Sequence, residues 1–204
     1  NLVPRFYDVT SGEILVDGVN VKDMKLSFLH NKIGYVSQKA ILFKGTVRSN
    51  IQFGKTNRKE VTDDEIDKAL SVAQASDFVS KMSDGISSPI AQSGTNVSGG
   101  QKQRLSIARA VARKPEIYIF DDSFSALDFK TDYSLRKELN KYCKGATKLI
   151  VAQRIGTIID ADKIVVLDNG KCVGIGTHME LFKNCEVYRE IAESQLSKEE
   201  LENA

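Results

Sequence analysis

An unbroken apolar run at residues 117–120, IYIF, ends on two adjacent carboxylates, Asp121 and Asp122, and no other stretch restricts the fold of this chain so tightly. Helical patterns flank it. Residues 101–113 put Leu105, Ile107, Ala108 and Val111 on one helical face, and a second helix is expected near residues 131–142. A short apolar run between two helices reads as a buried strand of an α/β sheet. Ligands of open α/β sheets sit at the carboxyl ends of the strands, where Asp121 and Asp122 fall. One carboxylate there can hold a magnesium ion, and its neighbour can act on a water. The same residues also suit a pair of solvated acids closing a strand ahead of a turn, and the motif by itself leaves both readings open.

The remainder of the chain alternates in the same way. Residues 13–16 read as a strand entering a turn at Asp17-Gly18, and residues 32–37 as a second short strand. Residues 61–79 have helical spacing through Ile66, Ala69, Leu70, Val72 and Ala73, and strands are expected at 148–152, 164–167 and 172–175. This order predicts a parallel α/β core with a helical insertion. With 204 residues, 41% hydrophobic and 27% charged, the chain can build one large domain or two small lobes. No apolar run approaches the roughly 20 residues of a membrane-spanning helix, so membrane contact is expected through a partner or through chain outside this sequence. A net charge of +2, with the basic residues dispersed, gives no nucleic-acid footprint, and no nucleic-acid partner is expected. Cys143, Cys172 and Cys185 lack paired metal-ligand spacing and fit reduced thiols.

A second motif, NVSGGQKQR at residues 96–104, sets Ser98, Gly99 and Gly100 immediately ahead of a helix. That arrangement aims backbone N–H groups and the positive end of the helix dipole at a phosphate, and glycines let the backbone come close. A serine N-cap followed by a flexible glycine pair has the same sequence.

Taken in order, IGYVSQ (33–38), VSGGQKQR (97–104), IYIFDDSFSALD (117–128) and VAQRIGT (151–157) resemble the nucleotide-binding domain of ATP-binding cassette (ABC) transporters, over nearly the whole chain. The resemblance implies a P-loop NTPase fold in the α/β class. Its α/β core would comprise residues 1–38 and 114–190, its helical subdomain residues 39–113, and an acidic tail residues 191–204. It implies ATP and magnesium as cofactors. Gln38 corresponds to the Q-loop glutamine, near the metal and the reacting phosphate, and Asp121 to the Walker B magnesium ligand. Ser98, Gly99, Gly100 and Gln101 correspond to the signature that contacts the ATP of a partner domain, and Asp128 ends the D-loop. Residues 37–51, SQKAILFKGTVRSNI, are similar to the exporter branch, where this segment lies beside transmembrane coupling helices at the cytoplasmic face of the membrane.

Three departures qualify the resemblance. No G-x-x-x-x-G-K-[ST] loop is present, and residues 1–8 look like the end of the helix that follows it. The chain is therefore expected to be a fragment that binds ATP poorly by itself. Where the family has a glutamate after the Walker B aspartate, this chain has Asp122, one methylene shorter. Where the family has a switch histidine, it has Gln153, an amide that cannot carry the charge of imidazole. Both changes weaken one site, as in the degenerate half of a heterodimeric exporter whose partner domain supplies glutamate and histidine. A soluble cassette protein of translation or DNA repair, and a purely regulatory nucleotide-binding module, remain as rival readings. The exporter-like segment at residues 42–51 argues against the first and the intact signature against the second.

Overall fold

The apolar run at Ile117 is the middle strand of a three-stranded parallel sheet in the computed structural model, which describes residues 1–54 and 60–197. The chain divides into two units, Asn1–Val151 and a second that begins at Ala152. The first unit has a hairpin of β1 (Leu15–Val16) and β2 (Val19–Asn20), helix α1 (Leu26–Lys32) and strand β3 (Ile33–Val36). Shorter pieces follow: β4 (Gly45–Thr46), α2 (Val47–Ile51), α3 (Asp63–Val72), α4 (Ser76–Val79) and β5 (Pro89–Ile90), which pairs with β4. Then come α5 (Gly99–Ala112), β6 (Ile117–Asp121), α6 (Phe129–Tyr142) and β7 (Thr147–Val151).

The sheet order is β3-β6-β7, with Val36 opposite Phe120 and Phe120 opposite Ile150. Alternate residues of β6 enter different clusters. Tyr118 and Phe120 pack with Leu70, Leu105, Ile107, Leu135 and Leu139, whereas Ile119 packs with Val16, Val21, Leu29 and Ile33. A strand covered on both faces needs no polar alternation, which is why β6 is legible as a continuous apolar run. Leu42, Val47 and Ile66 from the helical segment share one cluster with Val36, Tyr118 and Phe120, so sheet and helices are joined by a continuous core.

Residues 61–79, expected as one helix, form two. Gln74 takes a left-handed backbone (φ +55°), the Ala75 N–H donates to the Leu70 carbonyl and the Gln74 N–H to that of Ser71. This is the hydrogen-bond pattern that ends a helix. The chain start closes in the same pattern: Arg5 has φ +55°, Phe6 N–H donates to Asn1 O and Arg5 N–H to Leu2 O. Helices α1 and α2 were not legible, because seven and five residues carry too little periodicity. No helix among the described residues is long and apolar enough to cross a membrane.

The second unit contains α7 (Ile155–Ile158), a hairpin of β8 (Ile164–Asp168) and β9 (Lys171–Gly176), α8 (His178–Asn184) and α9 (Glu186–Gln195). Asn169 and Gly170 both have positive φ, as a two-residue hairpin turn requires. The expected division at residues 190/191 falls inside α9, which buries Ala192 against Tyr188 and Leu181 in one cluster. A side chain buried in the core holds that helix in the unit rather than in a peripheral tail; residues 198–204 of the acidic segment lie outside the described residues.

His178 is buried at the start of α8, with Nδ1 2.8 Å from the Tyr188 hydroxyl. Burial pushes the Tyr188 pKa up to about 12, so its hydroxyl stays protonated. Burial also lowers the His178 pKa, and its Nε2 has no hydrogen-bond partner among the described residues. The unfolded state therefore binds the proton more readily. The second unit should be fully stable above the ordinary histidine pKa of about 6.5 and lose stability as pH falls below it. Thermal unfolding followed between pH 7.5 and 5.5 should show this loss, and His178→Phe should flatten it.

Candidate functional site

The carboxyl ends of β3 and β6 lie side by side and put four polar side chains together. Tyr35 donates its hydroxyl to Asp121 Oδ2 at 2.8 Å, and Gln38 donates Nε2 to Asp122 Oδ2 at 2.9 Å. Burial, reinforced by Asp121, pushes the Tyr35 pKa up to about 12, which keeps it a donor. Asp122 leaves the sheet with a left-handed backbone (φ +45°), after its N–H has donated to Val151 O at 2.9 Å. Aspartate tolerates that conformation better than most residues, and such outliers concentrate at functional sites. Ser125 Oγ then donates to Asp122 O at 2.9 Å and closes the turn.

Beneath this pair, the buried Ser123 hydroxyl donates to Val36 O at 2.8 Å. Gln103, buried on α5, donates Nε2 to Ser37 O at 3.2 Å. Val36, Ser37 and Gln38 are thus each tied, two to the turn after β6 and one to α5. Gln103 and Ser123 were missed by sequence reasoning. A buried glutamine on an otherwise apolar helical face is the signal that could have found the first.

Ser98 is the N-cap of α5. Its hydroxyl accepts from the Gln101 N–H at 3.3 Å and its own N–H donates to Gln101 Oε1 at 2.9 Å, a reciprocal capping box. A Cβ on Gly99 would meet nothing within 4 Å, whereas one on Gly100 would lie 3.4 Å from the Ala126 carbonyl oxygen. A Cβ at 100 would make an ordinary van der Waals contact and one at 99 would meet no described residue, so packing among the described residues does not by itself require glycine at either position. Asp128 caps α6, accepting from the Thr131 N–H at 2.9 Å and from its hydroxyl at 2.8 Å, and these bonds hold its pKa below the usual carboxylate value.

In the second unit, Gln153 is exposed and its carbonyl accepts from Gln195 Nε2 at 2.9 Å. Gln195 Oε1 in turn accepts from the Ile155 N–H at 2.8 Å. Gln195, at the end of α9, thereby brackets the backbone at 153–155. Nothing in its sequence surroundings marks it for that role. His30 and His178 are committed elsewhere, His30 to Pro4 O at 2.8 Å and His178 to Tyr188.

The residues at the β6 end fit a magnesium–nucleotide site. Among the described residues no three His, Cys, Asp or Glu side chains gather as a metal cage. Magnesium does not need one: it is usually held by one or two carboxylates and completes its octahedron with phosphate oxygens and water. Asp121 is half-buried at a strand end and, among the described residues, only its Oδ2 is engaged, which suits that mode.

A model of the ABC transporter family matches residues 1–125. The chain belongs to the ABC transporter family. Its fold is the P-loop NTPase fold of the family's ATP-binding domain. Among its relatives is an uncharacterized ABC transporter ATP-binding protein of Mycobacterium tuberculosis, 47% identical over 195 residues, covering 96% of this chain and 33% of the relative. A putative multidrug export ATP-binding/permease protein of Staphylococcus aureus is 46% identical over 191 residues, covering 94% of this chain and 32% of that protein. The solved structure of a bacterial Atm1-family ABC exporter with ATP bound superposes with a TM-score of 0.90 at 33% identity, covering 96% of this chain and 34% of that one. The chain thus spans about a third of the length of the curated ABC relatives it matches.

The Gln38–Asp122 bond gives a direct test of the geometry. Asp122→Ala should speed amide exchange at residues 38–41 by about two- to ten-fold, the equivalent of one hydrogen bond worth about 0.5–1.5 kcal/mol. Asp122→Asn keeps an acceptor and a residue tolerant of positive φ, so exchange there should stay near the parent rate.

Proposed function

We propose that this chain is the ATP-binding domain of an ABC exporter, that its own nucleotide site is weakened, and that its signature completes the site of a second ABC domain. The observation that carries this reading is the state of Asp122: its carboxylate is one methylene shorter than glutamate and is already taken by Gln38. A positioned general base contributes roughly 10²–10⁴-fold, and a misplacement of about 1 Å can cost on the order of 10²-fold. Gln153 is a neutral amide, where the resemblance implies a cationic imidazole that would stabilise the terminal phosphate. Asp121 and Gln38 are the residues to hold magnesium, which when bound neutralises phosphate charge. Asp122 remains beside the attacking water but accepts its proton poorly.

The Ser98–Gln101 cap is complete, and Gly99 leaves room above it that no described residue fills. Anions bind well at such a helix start, so the terminal phosphate of the partner's ATP is its natural occupant. Asp128, ordered by Thr131, interacts electrostatically with Arg104 of the same helix that Ser98 caps. Two such domains would close on ATP, and hydrolysis at the partner's site, with its glutamate and histidine, would reopen them. A transmembrane domain is the expected second partner, holding the chain at the cytoplasmic face of the membrane. Phe43 and Phe53 stack at 4.1 Å beside Ile41, all three exposed, and suit its coupling helices. Arg109 holds that surface by donating to Asn50 O at 2.7 Å and Ile41 O at 3.0 Å.

Two experiments test the assignment. In the assembled exporter, Ser98→Ala should reduce ATPase by ~10²–10³-fold, the cost of a donor lost from a preorganised site, whereas Asp122→Asn should reduce it only a few-fold. The reverse order would mean that this chain carries the working base. If neither change alters turnover, the purely regulatory reading, which Asp122 and Gln153 also favour, takes its place. With the full-length protein paired to itself, Asp122→Glu combined with Gln153→His should raise turnover above the parent, and each change alone should do less because both act on one transition state.

A further inference from the structure

We propose that Tyr35 is a positioning residue for the metal-holding carboxylate: its hydroxyl takes Asp121 Oδ2 and leaves Oδ1 as the single oxygen presented to magnesium. The inference rests on the reading of Asp121 as the magnesium ligand, and deepens it. Tyr35 lies opposite Ile119 in the parallel register of β3 and β6, and packs with the same cluster, the one containing Ile33 and Ile119. Asp121 is two residues farther along β6, so its side chain leaves the same face of the sheet. At roughly 3.3 Å of rise per residue the gap along the strand is about 6.6 Å, which a phenol crosses and an aliphatic side chain does not. The resulting bond is 2.8 Å long.

The ring itself is held. Phe6 meets it edge to face, with centroids 5.5 Å apart and planes at 89°, while its other side joins the cluster around Ile33 and Ile119. A fixed ring makes the hydroxyl a fixed donor. That matters because the terminal torsion of an aspartate is broad and roughly two-fold, so an unassisted carboxylate presents either oxygen. Tyr35 removes this choice. The two acids of the pair are therefore governed differently: Asp121 by a donor from a strand residue packed in a core cluster, Asp122 by Gln38, which follows the strand and is exposed. Partners that orient a metal ligand in this way typically change metal affinity by about 10–100-fold when lost.

The test uses the assembled exporter with a non-hydrolysable ATP analogue, and counts bound Mn²⁺ by electron paramagnetic resonance as a stand-in for magnesium. Tyr35→Phe keeps the ring and deletes the donor. It should weaken one of the two bound ions by about 10-fold and leave the other, at the partner's site, unchanged. Analogue affinity in EDTA should match the parent, a split that a general loss of folding would not produce. Asp121→Asn is measured in parallel and should remove the same ion. If Asp121→Asn removes an ion while Tyr35→Phe leaves both intact, the positioning role is overturned and the site reading stands. Should Asp121→Asn leave both ions bound, the site reading fails and the positioning role falls with it. Equal weakening of analogue binding with and without metal by Tyr35→Phe would also overturn the role, by showing a structural effect only.

Discussion

Three consecutive residues at the end of β3 have their polar groups tied to different elements, and the site depends on that tethering. Val36 O accepts from buried Ser123, Ser37 O from buried Gln103 on α5, and Gln38 reaches Asp122. Buried carbonyls without partners cost about 1–3 kcal/mol each, so Ser123 and Gln103 are held in place by the cost of leaving them. The segment where β3 gives way to loop is thereby fixed to the turn after β6 and to the helix that starts at Ser98. A displacement of α5 has to pass through Gln103 to Ser37, one residue from Gln38. This gives the helix start and the acid pair a common mechanical connection within one unit.

The acid pair owes its form to the same junction. A parallel strand buried on both faces ends where its ladder ends, and its first polar residues meet the ligand side of the sheet. Asp121 still lies in the ladder, opposite Val151, and keeps a strand orientation. Asp122 has turned into the left-handed region, which carries its carboxylate away from the strand direction and toward Gln38. Adjacent in sequence, the two carboxylates therefore differ in backbone conformation, in donor and in what they can do.

How much of this was legible follows from the range of each interaction. The parallel core, α5 and β6 were readable because local periodicity encodes them, and short motifs singled out Asp121, Asp122, Ser98 and Gln38 as candidates. The break at Gln74 was not, since glutamine at a left-handed position looks like any helical glutamine, and Arg104 of α5 stabilises it from afar by donating to its carbonyl at 2.6 Å. Tyr35 read only as a strand residue because its partner is 86 positions away, and Gln103 reaches across 66. Gln195 was assigned to a tail, because the tie from α9 to the backbone at Gln153 leaves no mark on composition or spacing.

The shortened acid bears on more than rate. A glutamate at position 122 would carry its carboxylate one methylene farther, past the place where Gln38 now donates, and would need the glutamine to move or to release it. With aspartate, the carboxylate rests against Gln38 before any nucleotide arrives. On the reading proposed above, ordering that segment in advance would remove part of the entropy otherwise lost on closing around ATP. The same contact engages one of the two carboxylate oxygens, Oδ2. On that same reading, the hydrogen bond would suit a domain that holds nucleotide while its partner turns over.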